Sequence, residues 1–226
     1  MDTWPINLFA PRSVRWRLQG VSNSGGTSVS GLNRFARTDG GGFWVCQMSG
    51  IWLRRRDHLL AMRALEGLLA GGVATILVPS CECRLKPLPV EVTTCGGTVP
   101  HSDGSPFSDG TEYVSGAIEI TAAAAALRAT SLTISIVTGS GLRGGEHFSI
   151  DHTTKGRRMY RVIRVGEAGV VTIDPPLREA ITADTILDFD NPSLPMRILN
   201  PDDFFGAIEL GRFAEAAPLF QESFDV

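Results

Sequence analysis

Residues 43–79 decide the fold, with FWVCQMSGIWL, RRRDHLLAMRALEGLLAGG and VATILVP following one another along the chain. The first block, Phe43–Leu53, is rich in aromatic and branched side chains and predicts a strand. The second predicts a helix that Asp57 caps and that Gly71-Gly72 ends. Its apolar face consists of Leu59, Met62, Leu65 and Leu69. The third block, Val73–Val78, has the continuous apolar character of a buried strand.

Strands dominate the rest of the chain. Val14–Gln19 alternates apolar and polar residues as a half-buried strand does, and Leu32–Arg37 follows a turn-rich run. Further strands are predicted at Glu119–Leu127, Ser131–Val137, His147–Ile150, Arg158–Val165, Val170–Ile173, Ile186–Phe189, Met196–Leu199, Ala207–Leu210 and Pro218–Phe224. The alanine run 122–126 has helical propensity, but its flanks are β-type and favour a strand. The sequence therefore predicts a mainly β protein with one helix.

Composition bounds the class of protein. The 226 residues are 43% hydrophobic and 20% charged, which excludes a disordered chain. The 25 glycines follow no period and predict many turns between short strands. The net charge of −3 argues against a generally basic nucleic-acid binder, yet it hides an asymmetry. Residues 1–80, the basic front, carry nine basic and four acidic side chains, whereas residues 165–226, the acidic back, carry three and twelve.

The N-terminus and the apolar stretches point to a soluble protein made inside a cell. Asp2 and Pro5 stand where a signal peptide would have a basic and then an apolar region. The two most apolar stretches, Leu65–Pro79 and Ile118–Val137, are broken by glycines or by Arg128 and are too interrupted to span a membrane. The four cysteines are too few for a disulfide framework in a chain of this length, so we expect thiols.

One cluster of possible metal ligands lies in the proline-rich segment that follows residue 80. It consists of Cys81, Cys83, Cys95 and His101. Zinc knuckles commonly place two to four residues between paired cysteines, whereas a single residue separates Cys81 from Cys83. We therefore expect ordinary thiols and no bound metal, with a zinc or iron site as the alternative.

Other motifs lack the context that their chemistry needs. Gly139–Gly144 matches G-x-G-x-x-G, but strand-like residues follow it where a dinucleotide site needs a helix. Asp103–Gly110 lacks the alternating oxygen ligands of a calcium loop. The chain contains neither G-x-S-x-G nor H-E-x-x-H. We therefore expect no catalytic residue and no cofactor, and Arg54–Arg56 suits an interface between subunits.

Several stretches taken together resemble one family. They are Gly41–Trp44 with the helix and VATILVP after it, Gly141–Ile150, Arg158–Val162, Val171–Ala180, Ala183–Phe189, Pro195–Leu199, Leu210–Phe213 and Phe220–Phe224. Their order is similar to that in minor tail proteins of long, non-contractile-tailed phages and of related gene transfer agents. Within this group the chain most resembles the distal tail proteins, which form the ring between tail tube and tail tip.

The resemblance implies a tail-tube-like β-sandwich or barrel with one helix, formed by residues 1–84 together with 190–226. Residues 85–189 would form an inserted small β-barrel of the OB or galectin type. The protein would be a structural virion component, assembled in the host cytoplasm, whose hexameric ring joins the tail tube to the baseplate or hub. Implied partners are further copies of the chain, the tube protein, hub and tip proteins, and tape-measure or fibre proteins. DNA would pass through the lumen only as cargo.

A head-to-tail ring contact buries two different patches of each subunit. The basic front and the acidic back are predicted to supply them, with Trp4, Phe9, Trp16 and Phe107 as exposed aromatic anchors. In the alternative, the two segments share one domain and neutralise each other internally. Two other functions stay open, a glycan-binding or glycan-hydrolysing β module of a tail tip, and a tail terminator or other tube-completion protein.

Overall fold

A computed structural model describes residues 1–38, 40–80, 85–87, 98–99, 113–114, 118–208 and 213–225. In this part the protein is mainly β, as predicted, with several antiparallel sheets and a single α-helix. The elements are β1 Ser13–Gln19, β2 Ser22–Thr27, β3 Asn33–Arg37, β4 Phe43–Ser49, β5 Ile51–Leu53, α1 Arg56–Leu68, β6 Ile76–Pro79, β7 Thr98–Val99, β8 Tyr113–Val114, β9 Glu119–Ala122, β10 Ser131–Thr138, β11 His147–His152, β12 Gly156–Val165, β13 Val170–Asp174, β14 Thr185–Ile186, β15 Ser193–Ile198, β16 Ala214–Ala216 and β17 Leu219–Glu222.

A five-stranded antiparallel sheet joins the two ends of the chain. Its strand order is β1-β4-β17-β15-β6, so the last strand in sequence lies in the middle. The N-terminal segment runs along the β6 edge, where the Trp4 N–H donates to the Leu77 carbonyl at 2.8 Å and the Leu77 N–H donates to the Asp2 carbonyl at 2.9 Å. The sheet is therefore complete only when residues from both ends of the chain have joined it.

A six-stranded sheet of order β11-β12-β13-β10-β9-β14 curls into a nearly closed barrel. The closing contact lies just after β14, where Asp188 bridges to Ser149 of β11. Their backbone N–H groups donate to each other's carbonyls at 2.9 Å in both directions. Closure of this kind leaves fewer exposed strand edges than an open sheet would.

Two clusters of buried side chains form the core. The first lies under the five-stranded sheet and includes Trp4, Trp44, Met62 and Phe220. The second fills the barrel with residues from Ile118 to Phe189. Met159 of β12 belongs to the first cluster although its strand is part of the barrel. Each large apolar side chain buried in this way contributes about 1.5–3 kcal/mol. The division into residues 1–84 with 190–226 and residues 85–189 stays a prediction.

The predicted helix is confirmed, but its cap is not. Met62 and Leu69 are buried, and Leu59 and Leu65 pack against the same core, which matches the predicted apolar face. The helix begins at Arg56, however, and its N-cap residue is Arg55 with no side-chain hydrogen bond to the helix. Asp57 therefore lies in the first turn, where its negative charge interacts favourably with the unpaired backbone N–H groups of the helix N-terminus.

The predicted strand Phe43–Leu53 is two strands, β4 and β5. Gly50 separates them with a φ of +71°, and a Cβ at this position would lie 2.7 Å from Cβ of Arg12. A glycine is required there because the left-handed backbone and the close neighbour both exclude a side chain. The chain can then turn β5 away from the five-stranded sheet to pair with β16.

Several other predicted strand limits are wrong. The strand predicted over Glu119–Leu127 ends at Ala122, because the following alanines turn away to a single bridge between Ala125 and Ile181. The strand predicted at Ile186–Phe189 is only Thr185–Ile186. Within Ala207–Leu210, residues 207 and 208 are irregular and the other two lie outside the described residues. Conversely, the serine- and glycine-rich run after residue 21 forms β2, which pairs with β3.

Candidate functional site

The predicted metal cluster of Cys81, Cys83, Cys95 and His101 lies outside the described residues, as does the loop 103–110. The described cysteine, Cys46, is fully buried in the first core cluster. Among the described residues, no group of three or more His, Cys, Asp or Glu side chains could hold a metal ion. Metal analysis of the purified protein, with Cys83→Ser as the variant, is the direct test of the undescribed cluster.

The G-x-G-x-x-G stretch forms the loop between β10 and β11, which are not neighbouring strands of the sheet. Its backbone N–H groups bind a carboxylate of the chain itself. The two carboxylate oxygens of Glu146 accept from the N–H groups of Arg143, at 2.6 Å, and Gly144, at 2.7 Å. Glu146 is 7% exposed. The place that a phosphate would take in a dinucleotide site is thus filled by this side chain.

Glu222 of β17 is the centre of a buried polar junction between the two cores. Its Oε2 accepts from the Trp44 N–H at 3.0 Å and lies 3.4 Å from Nη2 of Arg178. Its Oε1 lies 3.5 Å from Nη1 of Arg158, and both side chains of this pair are 1% exposed. Burial raises the pKa of the Glu222 carboxyl, while the two guanidinium groups and the Trp44 N–H act against that rise. Burial likewise lowers the pKa of Arg158.

The two arginines of the junction also hold main-chain groups from both ends of the sequence. Nη1 of Arg158 donates to the Ser223 carbonyl at 2.6 Å. Nη2 of Arg178 donates to the Gly42 carbonyl at 2.6 Å. The ring of Phe224 lies 5.1 Å from the guanidinium carbon of each arginine, which is cation–π distance. The C-terminal segment is therefore fastened to the barrel by charge-assisted bonds and ring contacts.

A second set of buried polar groups lies beside this junction. The hydroxyl of Tyr160 accepts from the Arg178 N–H at 3.0 Å and is 2.6 Å from Nε2 of His152. Burial raises the pKa of Tyr160 and lowers the pKa of His152. The neutral imidazole is therefore favoured, and its Nε2 can accept the phenol proton.

Trp44 connects the five-stranded sheet to the barrel. Its Nε1 donates to the Met159 carbonyl at 2.8 Å. The guanidinium carbon of Arg161 lies 5.7 Å from the indole ring, and the imidazole of His147 packs edge-on at 5.2 Å. These contacts tie β4 of the five-stranded sheet to β11 and β12 of the barrel.

A cleft of about 310 Å³ lies where β6 meets the barrel. The described residues that line it are Ile6, Asn7, Pro79, Ser80, Leu85, Lys86, His147, Phe189, Asp190, Asn191 and Pro192. Its lysine and its aspartate pair with each other at 2.9 Å. The same aspartate also accepts from the Ile118 N–H at 3.0 Å. These two charged groups are thus already engaged in holding the cleft together.

The predicted aromatic anchors are corrected by the structure. Trp4 and Phe9 are each 1% exposed and Trp16 is half-buried, whereas Phe107 lies outside the described residues. The N-terminal segment folds back along β6, and this brings the first two rings into the core against Phe220 and each other. The sequence shows that aromatic residues lie near the N-terminus, but it does not show that this segment folds back onto β6.

The exposed aromatic side chains lie elsewhere. Phe35 of β3 is 69% exposed. Trp52 of β5 and Phe213 are partly exposed, with ring centroids 6.2 Å apart, and the guanidinium of Arg54 lies 5.4 Å from the Trp52 ring. Exposure of Trp52 follows from the alternation of β5, whose first and third residues face the core. This position could have been found from the sequence once the strand break at Gly50 was known.

The hairpin formed by β2 and β3 is the most exposed described element. Every residue of both strands is exposed. Its connecting loop carries Val29, which is fully exposed, and Leu32, which is 68% exposed. One ion pair ties its base to the barrel, where Nη2 of Arg37 lies 2.9 Å from Asp174. The hairpin thus presents apolar side chains that its own chain leaves in solvent.

The basic front and the acidic back use their charges differently. Among the described residues, Arg37 is the one arginine of the front that forms an ion pair. The remaining front arginines are exposed: Arg12, Arg15, Arg17, Arg34, Arg54, Arg55, Arg56 and Arg63. The acids of the back that bind cations or backbone N–H groups are Asp174, Glu179, Asp188, Asp190, Glu222 and Asp225. Within the described part of the chain, one ion pair joins the two segments, that of Arg37 with Asp174.

No model of a protein family matches the chain, and no curated protein matches it significantly. Within the described part, no helix is both long and apolar enough to cross a membrane.

Proposed function

We propose that this protein is a structural component of a phage tail tip, whose subunits form a ring that joins the tail tube to the baseplate or hub and lets DNA pass. The observation that carries the proposal is the exposed hairpin of β2 and β3. An isolated two-stranded hairpin is only marginally stable in water. A neighbouring subunit is a partner that would cover it.

The apolar side chains of the hairpin support a contact with protein. Phe35 and Leu32 are about two-thirds exposed, and Val29 is fully exposed. Aromatic side chains are enriched in the buried centres of protein interfaces, and Phe35 is an exposed aromatic residue of β3. We therefore infer that the hairpin inserts against another copy of the chain.

A head-to-tail ring needs a second, different patch on each subunit. The outer side of α1 is a candidate, because Leu60 and Leu68 are nearly half exposed and are eight residues apart on one helix face. Val73, just beyond the helix, is 75% exposed. In the proposed ring, the hairpin of one subunit packs on this face of the next.

The proposed partners follow from this position in the virion. They are further copies of the chain in a homo-hexameric ring, the tail tube protein on one side, and hub, tip, tape-measure or fibre proteins on the other. DNA passes as cargo. The role is structural and needs neither a catalytic residue nor a cofactor.

Ring formation is tested by mass measurement in solution and by electron microscopy, with and without the tube protein. We expect rings for the natural chain. The Leu32→Ser/Phe35→Ser variant should shift the population to monomers, because the hairpin loses its apolar anchors. A matched control, Leu127→Ser/Ile186→Ser, removes two exposed apolar side chains from the barrel and should leave the rings unchanged. A monodisperse monomer at high concentration, with no ring beside tube protein, would overturn the proposal.

One observation favours a second candidate, a glycan-binding module of a tail tip. The exposed pair of Trp52 and Phe213 provides an aromatic surface of the kind on which sugars stack, with Arg54 beside it. Glycan-array binding and a peptidoglycan-release assay test this role. Binding that is lost in Trp52→Ala, together with a failure to form rings, would favour this candidate over the first.

A further inference from the structure

The outer face of the five-stranded sheet carries a cationic row. Arg17 of β1 pairs in register with Val45, Val45 with Gln221, and Gln221 with Arg197. At about 4.8 Å between neighbouring strands, the two arginines at the ends of this row lie roughly 14 Å apart. Arg15 lies on the same face as Arg17, about 7 Å along the strand.

The residues between these arginines are mostly neutral and polar. Gln47 is exposed opposite Arg15, and the hydroxyls of Ser13 and Ser49 share a hydrogen bond of 2.7 Å at the end of the same strands. Val45, between Arg17 and Gln221, is 1% exposed. The exposed aliphatic side chain of this face is Leu199, which lies opposite Leu219 and is 48% exposed.

Within the described part of the chain, few carboxylates neutralise the positive charge of this face. Arg15 and Arg17 form no ion pair there, and Arg197 pairs with Asp225, whose side chain is 76% exposed. In contrast, Asp188 and Glu222 bind arginines of the barrel, and Glu179 binds backbone N–H groups of a barrel turn. The net charge of −3 therefore conceals a basic surface, because many of the acids that balance it are used elsewhere.

We propose that this face binds the phosphate backbone of double-stranded DNA without sequence preference, through Arg15, Arg17 and Arg197. Guanidinium groups bind phosphate oxygens in a bidentate manner, and glutamine and serine side chains are also common phosphate donors. The inference goes beyond the proposed function, in which DNA passes as cargo without a defined contact surface. It stands on the charges of one subunit and does not require a ring.

The test measures binding of a fluorescent DNA duplex of arbitrary sequence to the full chain between about 50 and 200 mM salt. We expect binding that weakens with salt and is equal for a second duplex of unrelated sequence. The Arg15→Gln/Arg17→Gln variant should bind about tenfold more weakly at low salt, and its slope of log affinity against log salt should be smaller by about 2. The matched control, Arg55→Gln/Arg56→Gln, removes two charges at the start of α1 and should bind as the natural chain does.

Three results would overturn the inference. The first is no salt-sensitive binding by the natural chain at low salt. The second is an equal loss in both double variants, which would mean that net charge alone is responsible. The third is an Arg15→Gln/Arg17→Gln variant that binds DNA normally but no longer forms rings, which would assign this face to a protein contact. Mass measurement of each variant separates these outcomes from a failure of the proposed ring.

Discussion

The basic front and the acidic back carry similar numbers of charges, yet they place them in opposite ways. Eight of the nine front arginines extend into solvent without an ion pair among the described residues, whereas six acids of the back hold cations or backbone N–H groups. Charges of the first kind contribute little to folding and are free for partners. Charges of the second kind are part of the fold itself. A charge count along the sequence therefore does not measure the charge of the surface.

The first prediction concerns the contribution of the acidic back to stability and has the largest expected effect. Glu222→Gln removes the carboxylate that faces Arg158 and Arg178, and it leaves a buried guanidinium without its counter-charge. We expect a loss of about 3–5 kcal/mol in the free energy of unfolding, measured by urea denaturation. The control is Glu215→Gln on β16, where the side chain is exposed and the change should stay within about 0.5 kcal/mol. Equal small effects in both variants would contradict the structural role.

A smaller effect is expected at the glycine-rich loop. Glu146→Ala leaves the N–H groups of Arg143 and Gly144 without their carboxylate acceptor. We expect a loss of about 1–3 kcal/mol in the free energy of unfolding. The control is Glu167→Ala, which replaces an exposed acid in the loop between β12 and β13. Its effect on the free energy of unfolding should be small. If the two variants unfold alike, the loop does not depend on its internal carboxylate.

The pH dependence of stability provides a third test. Burial lowers the pKa of His152 in the folded protein, so the unfolded chain binds the proton more readily. The neutral imidazole contributes to the free energy of unfolding above the ordinary pKa of about 6.5. This contribution is lost as the pH falls through the lower pKa of the folded protein. Urea midpoints measured from pH 8 downwards should therefore decrease through this range. His152→Asn should remove that part of the decrease, and an unchanged profile in this variant would contradict the assignment.

The smallest effect is expected in the front. Arg15→Gln/Arg17→Gln should change the free energy of unfolding by no more than about 0.5 kcal/mol, since neither arginine forms an ion pair among the described residues. Thermal unfolding in low salt measures this directly. A loss of several kcal/mol would mean that the front arginines support the fold, and the contrast between the two regions would then disappear.

Local patterns predicted much of the secondary structure. The alternation in Val14–Gln19 and the apolar spacing of Leu59, Met62, Leu65 and Leu69 correspond to β1 and to the core face of α1. Both patterns are set by neighbours a few residues apart, which is the range over which side-chain direction repeats. The strand predicted through the alanine run was wrong beyond Ala122. Alanine has a weak β preference, and the position of Ala125 depends on its bridge to Ile181.

The buried junction was not found from the sequence, although a signal was present. Phe220 and Glu222 are two residues apart in β17 and therefore face the same side of the sheet. An acid in the inward register of a core strand predicts a buried partner. What the pattern does not supply is the identity of that partner, because strand order and register decide which distant residues meet.

Local sequence patterns specify a mainly β chain with one helix, turns at its glycines and an uneven distribution of charge. Which charges become internal depends on the tertiary structure. Arg178 and Glu222 are 44 residues apart, and they meet because β17 enters the centre of a sheet begun by the N-terminal strands. Local periodicity describes which face of a strand is apolar. It does not encode which strands become neighbours, and that choice separates the arginines left in solvent from the acids held within the fold.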